Sequence, residues 1–194
     1  MSQGKNYTVN LVIESSDKYR EYLSEVTFDY AKVCDNIAYH FSYLEYLYQF
    51  RKQIPLSGYK VLDSLRIKTI ITELASIAEV LLFDALGNLS VQDKWGKKTR
   101  LHLRPEAKLS GMLEMATHYN VLPEKMAKRL YQLADLRNKI HLTHGKRDPY
   151  LFDDQLLARS QDAIEDLFKH FVQNRWRAVY KPNGQIASMR FPWN

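Results

Sequence analysis

The chain has 194 residues, of which 45% are apolar, and a formal net charge of +6. That length suits one domain with a real core, and that apolar share excludes an intrinsically disordered chain. No apolar run reaches the roughly 18 residues needed to cross a bilayer, and the opening MSQGKNYTVNLVIESS has no secretory signal core, so a soluble cytoplasmic protein with no membrane partner is expected.

In chain order, YTVNLVI (7–13) alternates and is rich in β-branched residues, which predicts a strand. SSDKYREY then supplies Ser or Asp as a helix cap. From Asp17 to Gln53 the sequence holds no Gly or Pro. Tyr30, Val33, Ile37, Phe41, Leu44 and Tyr48 recur at helical spacing and predict a helix with one apolar stripe. Cys34 falls in this run and reads as a small core residue; with no second Cys an internal disulfide is impossible. Tyr39, Tyr43 and Tyr46 also sit at helical spacing, which favours core or dimer surface over base stacking. IPLSG (54–58) breaks the run.

A second helix is predicted from about Tyr59 to Leu86. Ile67, Ile71, Leu74, Ala78, Leu81 and Ala85 form one stripe, and Ile70, Ile77 and Leu82 form another. A helix apolar on both faces belongs at the centre of a bundle. Gly87 stops it. SVQDKWGKKTRLHLRP (90–105) reads as a linker of uneven charge: Lys94, Lys97, Lys98, Arg100 and Arg104 follow Asp93 with no acid among them. Such a run is either a solvated loop or a set of phosphate contacts. A third helix is predicted over about Glu106 to His118.

YNVLP breaks the chain again, and Pro123 suits the first turn of a fourth helix that runs to Gly145. KRDPYLFDD follows as a loop, with Asp153 or Asp154 as the next cap. Leu157, Ile164, Leu167, Phe168 and Phe171 line a fifth helix ending near Trp176. RAVYKPNGQIASMRF alternates around Asn183-Gly184, a hairpin signal. The expected fold is all-α: an up-and-down helical bundle of about five helices with short β segments at the N- and C-termini. Residues 1–16 form an N-terminal strand or extension, 17–177 the bundle, and 178–194 a C-terminal β-hairpin tail.

The chemistry concentrates in the fourth helix, in LYQLADLRNKIHLTHG. On an ideal wheel Leu130, Leu133, Arg137, Ile140 and His144 fall within about 40° of Met126, and His141 about 60° away. The stripe that faces the core therefore turns polar in its last two turns. Two readings fit: cations stabilised by the helix C-terminal dipole, or a site that opens on a groove or a second subunit.

This segment, with the preceding LSGMLEMATHYNVLP, resembles the HEPN domain (higher eukaryotes and prokaryotes nucleotide-binding). The family signature is an Arg, often followed by a polar residue, then a His after four to six intervening residues. Arg137 matches the Arg and Asn138 the polar follower. His144 has six residues between it and Arg137, and His141 has three, fewer than the signature asks. The resemblance covers about residues 106 to 172.

It implies a helical bundle and a metal-independent endoribonuclease acting as a homodimer with facing motifs, with no cofactor. In that chemistry a neutral His moves a proton to or from the RNA's own 2′-OH or leaving oxygen. An Arg holds the phosphate, and Asn138 hydrogen-bonds the phosphate or orients the His. Lys94, Lys97, Lys98, Arg100, Arg104, Lys146 and Arg147 are candidate RNA contacts. Glu79, set among apolar residues, either lies on an exposed face or orients Arg137 from a neighbouring helix, as an acid does in this family.

His141 and His144, three apart, form too small a set for a metal site; His40, His102, His118 and His170 read as surface or packing residues. The competing function is a non-catalytic dimeric scaffold or an RNA- or nucleotide-binding module. The biological setting suggested for the nuclease is the toxin of a toxin–antitoxin or phage-defence pair, its antitoxin a protein such as a nucleotidyltransferase.

Overall fold

The computed structural model describes residues 11–23, 32–56, 58–92, 97–104, 106–138, 152–173 and 191–193. Within them the protein is all-α apart from one small hairpin. Six helices follow in order: α1 (Ser16–Leu23), α2 (Lys32–Gln53), α3 (Lys60–Gly87), α4 (Leu109–His118), α5 (Glu124–Asn138) and α6 (Asp154–Gln173). No helix among the described residues is long and apolar enough to cross a membrane.

Helix α3 is the central rod. Both of its predicted stripes are buried, from Ile67 to Ala85 on one side and at Ile70, Ile77 and Leu82 on the other. It packs against α2, α4, α5 and α6. Burying each such aliphatic side chain contributes about 1.5–3 kcal/mol before the entropy of ordering is counted. That double-sided burial gives the other helices a common wall.

The unbroken run from residue 17 to 53 holds two helices rather than one rod. α1 lies antiparallel on α2: the Tyr19 ring meets Phe41 edge-on at 5.3 Å, and the Arg20 Nε donates to Asp35 at 2.6 Å. α2 and α3 are antiparallel too. Arg51 meets Asp63 near one end of that pair, and His40 Nδ1 lies 2.6 Å from Glu73 further along. Gly58, at φ +98, takes a backbone conformation open to glycine between them.

Predicted signals account for the starts of α5 and α6, while the predicted ends of these helices, at Gly145 and near Trp176, lie outside the described residues. The Pro123 carbonyl accepts the first bonds of α5, from Met126 and Ala127 at 3.0 Å each. Asp153 caps α6, its Oδ1 accepting the Leu156 N–H at 2.8 Å.

The β structure departs from expectation. Of the predicted strand at 7–13, residues 11–13 belong to no strand and the rest lies outside the described residues; so does the predicted hairpin around 183–184. The strands that are described fall inside the charged linker read as a loop. β1 (Ser90–Gln92) pairs antiparallel with β2 (Lys98–Arg100), with Val91 opposite Thr99. Leu89 and Leu101 extend the ladder by one bond of 2.8 Å. The linker folds because Leu89 and Leu103 are buried and Val91 and Leu101 pack on the core.

Residues beyond α6 also reach the core. Phe191 is buried against Phe41 and Phe168, and Trp193 stacks on Phe191 at 5.0 Å while donating its indole N–H to Glu165 at 2.7 Å. Cys34 is buried, as expected of a small core residue.

Candidate functional site

Helix α5 sits on the bundle through Ala127, Leu130, Leu133 and Ala134, all buried. Arg137 follows one turn after Leu133, so its stem starts toward the core and its head must find a partner or water. It finds Glu79 on α3: the Arg137 Nη1 donates to the Glu79 Oε2. Both side chains are partly open, at 34% and 27% exposure. Glu79 is therefore a cross-bundle partner and not a solvated surface acid. Its neighbours Ala78, Leu81 and Leu82 are buried, which fixes its place on the rod.

The pairing uses only part of the guanidinium. Arginine carries five N–H donors in a planar fork. Among the described residues, the Arg137 Nε and Nη2 make no hydrogen bond. Asn138, the last residue of α5, is exposed and its amide likewise makes none among the described residues. A cleft of about 350 Å³ runs between α5 and α6, with Leu133 and Leu136 on one wall and Leu156 and Arg159 on the other.

His141, His144, Lys146 and Arg147 lie outside the described residues, as does Lys94. The remaining predicted contacts, Lys97, Lys98, Arg100 and Arg104, are exposed on or beside the hairpin. No group of three His, Cys, Asp or Glu side chains that could hold a metal ion gathers among the described residues.

A second, larger cavity of about 690 Å³ opens where α2 ends and α3 and α6 begin, lined in part by Tyr48, Ile67 and Phe152. None of the predicted site residues that are described lines it. Its wall is held by Arg51, whose Nε and Nη2 grip Asp63 at 3.2 and 3.1 Å while Nη2 also reaches Asp154 at 2.6 Å. Burial pulls the Arg51 pKa down, but the two carboxylates outweigh it and the net shift is upward. Burial pushes the Tyr48 phenol up, against the opposing hydrogen bond from Gln161 at 2.7 Å.

Sequence reasoning passed over Glu45. It is buried on α2, where it accepts the Glu14 N–H at 2.7 Å and the Tyr19 hydroxyl at 3.2 Å. The signal was available: Glu45 comes four residues after Phe41, on the stripe that faces inward.

The chain matches no family model, no curated protein and no solved structure.

Proposed function

We propose that the protein is a metal-independent endoribonuclease of the HEPN type, with Arg137 on the scissile phosphate and His144 or His141 moving the proton. The observation that carries this reading is the half-engaged guanidinium. Glu79 fixes one edge of Arg137 from α3, and among the described residues the Nε/Nη2 edge stays open at a partly exposed position. That edge is the one that holds a phosphate by two parallel hydrogen bonds.

In the reaction the RNA's 2′-OH attacks the neighbouring phosphorus. The imidazole takes the hydroxyl proton, the P–O5′ bond breaks, and a protonated group returns a proton to the departing oxygen. Arg137 offsets the charge that grows on the phosphoryl oxygens. Asn138, exposed at the end of α5, hydrogen-bonds the same phosphate in this reading. In this reading the active unit is a homodimer whose two motifs face one RNA, and the setting is a toxin restrained by an antitoxin, such as a nucleotidyltransferase, or a phage-defence pair. Lys94, Lys146 and Arg147 join the exposed cations as RNA contacts.

One observation favours the alternative of a non-catalytic scaffold or RNA-binding module: Glu79 already neutralises Arg137. Incubating the purified protein with single-stranded RNA in excess chelator separates the two. Wild type is expected to cut, and Arg137→Ala to cut at least about 100-fold more slowly with unchanged helical circular dichroism. Arg137→Lys, which keeps the charge and loses the fork, is expected to stay impaired. Equal cleavage by wild type and Arg137→Ala removes the assignment; no cleavage by wild type leaves the scaffold.

A further inference from the structure

Residues 97 to 108 carry five cations, Lys97, Lys98, Arg100, Arg104 and Lys108, against the single acid Glu106. What the sequence did not reveal is how the fold sorts them. Leu103 is buried and Leu101 packs on the core, while Lys98, Arg100, His102 and Arg104 are exposed. Among the described residues β2 is an edge strand paired only with β1, and Val91 of β1 lies against the core. Lys98, Thr99 and Arg100 of β2 are all exposed, and from Arg100 onward the segment alternates: Leu101 and Leu103 anchor it from below while Arg100, His102 and Arg104 stand in solvent.

Residues two apart in a strand lie about 6.6 Å apart on one face, which sets the spacing of Lys98 and Arg100 on β2. That is of the same order as the separation of successive phosphates along an extended nucleic-acid strand. Lys98, Arg100 and Arg104 make no ion pair among the described residues, so no described carboxylate neutralises them.

We propose that residues 98–104 form a cationic comb that grips single-stranded RNA by its phosphate backbone, with His102 as a stacking platform for a base. The identity of the polyanion as RNA rests on the nuclease reading; the gripping does not require that cleavage occur. A line of cations interrupted by a flat ring is the arrangement that binds single strands without reading their sequence. A duplex offers no unstacked base for His102. A lipid surface is disfavoured because the apolar residues of the segment, Leu101 and Leu103, point into the bundle and leave nothing to enter a bilayer.

The test is fluorescence anisotropy with a fluorescein-labelled single-stranded RNA, in an Arg137→Ala background so that the RNA stays intact. Replacing Lys98, Arg100 and Arg104 together by Ser removes three phosphate contacts. The slope of log affinity against log salt is then expected to fall by about 2, and binding at low salt to weaken roughly 10- to 100-fold. A charge-preserving triple variant, Lys98→Arg with Arg100→Lys and Arg104→Lys, is expected to keep the slope, which guards against misfolding as the cause. His102→Ala is expected to weaken binding about 5-fold or more with the slope unchanged.

An unchanged affinity and slope in the triple Ser variant overturns the comb. So does tighter binding of duplex RNA, or of phosphatidylserine vesicles, than of the single strand. The two proposals fail separately: a wild type that binds but never cuts refutes the nuclease alone, and a wild type that cuts while the triple Ser variant binds normally refutes the comb alone.

Discussion

Arg51 and Arg137 both bridge helices in this bundle, and they do it differently. Arg51 is held by carboxylates from two other helices, with both Nε and Nη2 occupied. Among the described residues Arg137 is held through Nη1 alone, by one carboxylate, and it is more open: 34% exposed against 23%. A guanidinium whose fork is filled by the protein is a clamp between helices. One held by a single edge is a positioned donor with capacity left for a ligand. Among the described residues the two arginines differ more in the number of carboxylates that hold them than in burial.

That contrast can be broken by experiment. The largest effect on stability is expected at the clamp: Arg51→Ala leaves the Asp63 carboxylate half-buried without its partner and costs about 1–3 kcal/mol in urea unfolding, with little effect on RNA cleavage. If Arg51→Ala instead abolished cleavage at full stability, the roles assigned to the two arginines would be reversed.

Glu79→Gln is expected to be intermediate. The amide can still accept from Arg137, so unfolding shifts by less than about 1 kcal/mol, while loosened positioning slows cleavage roughly 10-fold. A stability loss as large as that of Arg51→Ala, with cleavage intact, would make the Glu79 pair a second clamp.

The smallest effect concerns the wall beside Arg51. Burial raises the Tyr48 phenol above its ordinary 10.0, so the unfolded chain releases that proton first. The stabilisation is complete below about pH 10 and is lost as pH rises beyond it. Tyr48→Phe has no proton to lose, and its unfolding midpoint should fall less steeply than the wild-type midpoint in that alkaline range. Parallel curves would mean that Tyr48 is not protected from ionisation.

Much of the bundle was legible in the sequence because the periodic signal was long. The expected helix at 59–86 lies within a residue of α3 (Lys60–Gly87), since two apolar stripes over 28 residues leave no other period. Pro123 and Asp153 fixed the starts of α5 and α6 by local chemistry. Two features were hidden for physical reasons. The division of 17–53 into α1 and α2 carries no Gly or Pro to mark it. The hairpin of β1 and β2 has strands of three residues, too short for alternation to stand out among lysines; the clue was the apolar set Leu89, Val91, Leu101 and Leu103 at alternate positions, all of which pack on the core.

At the site, the wheel placed Arg137 one turn past buried Leu133 and left Glu79 with two options. Only the packing of α5 on α3 chooses between them, because a contact across 58 residues has no local signature.

The aromatic nest formed by Phe41, Phe168, Phe191 and Trp193 carries a consequence for synthesis. Phe41 emerges from the ribosome long before Phe191, so the earlier helices fold before Phe191 and Trp193 can cover Phe41 and Phe168. A chain cut after α6 would leave the faces of Phe41 and Phe168 that meet Phe191 without that cover, an apolar surface of the kind chaperones bind.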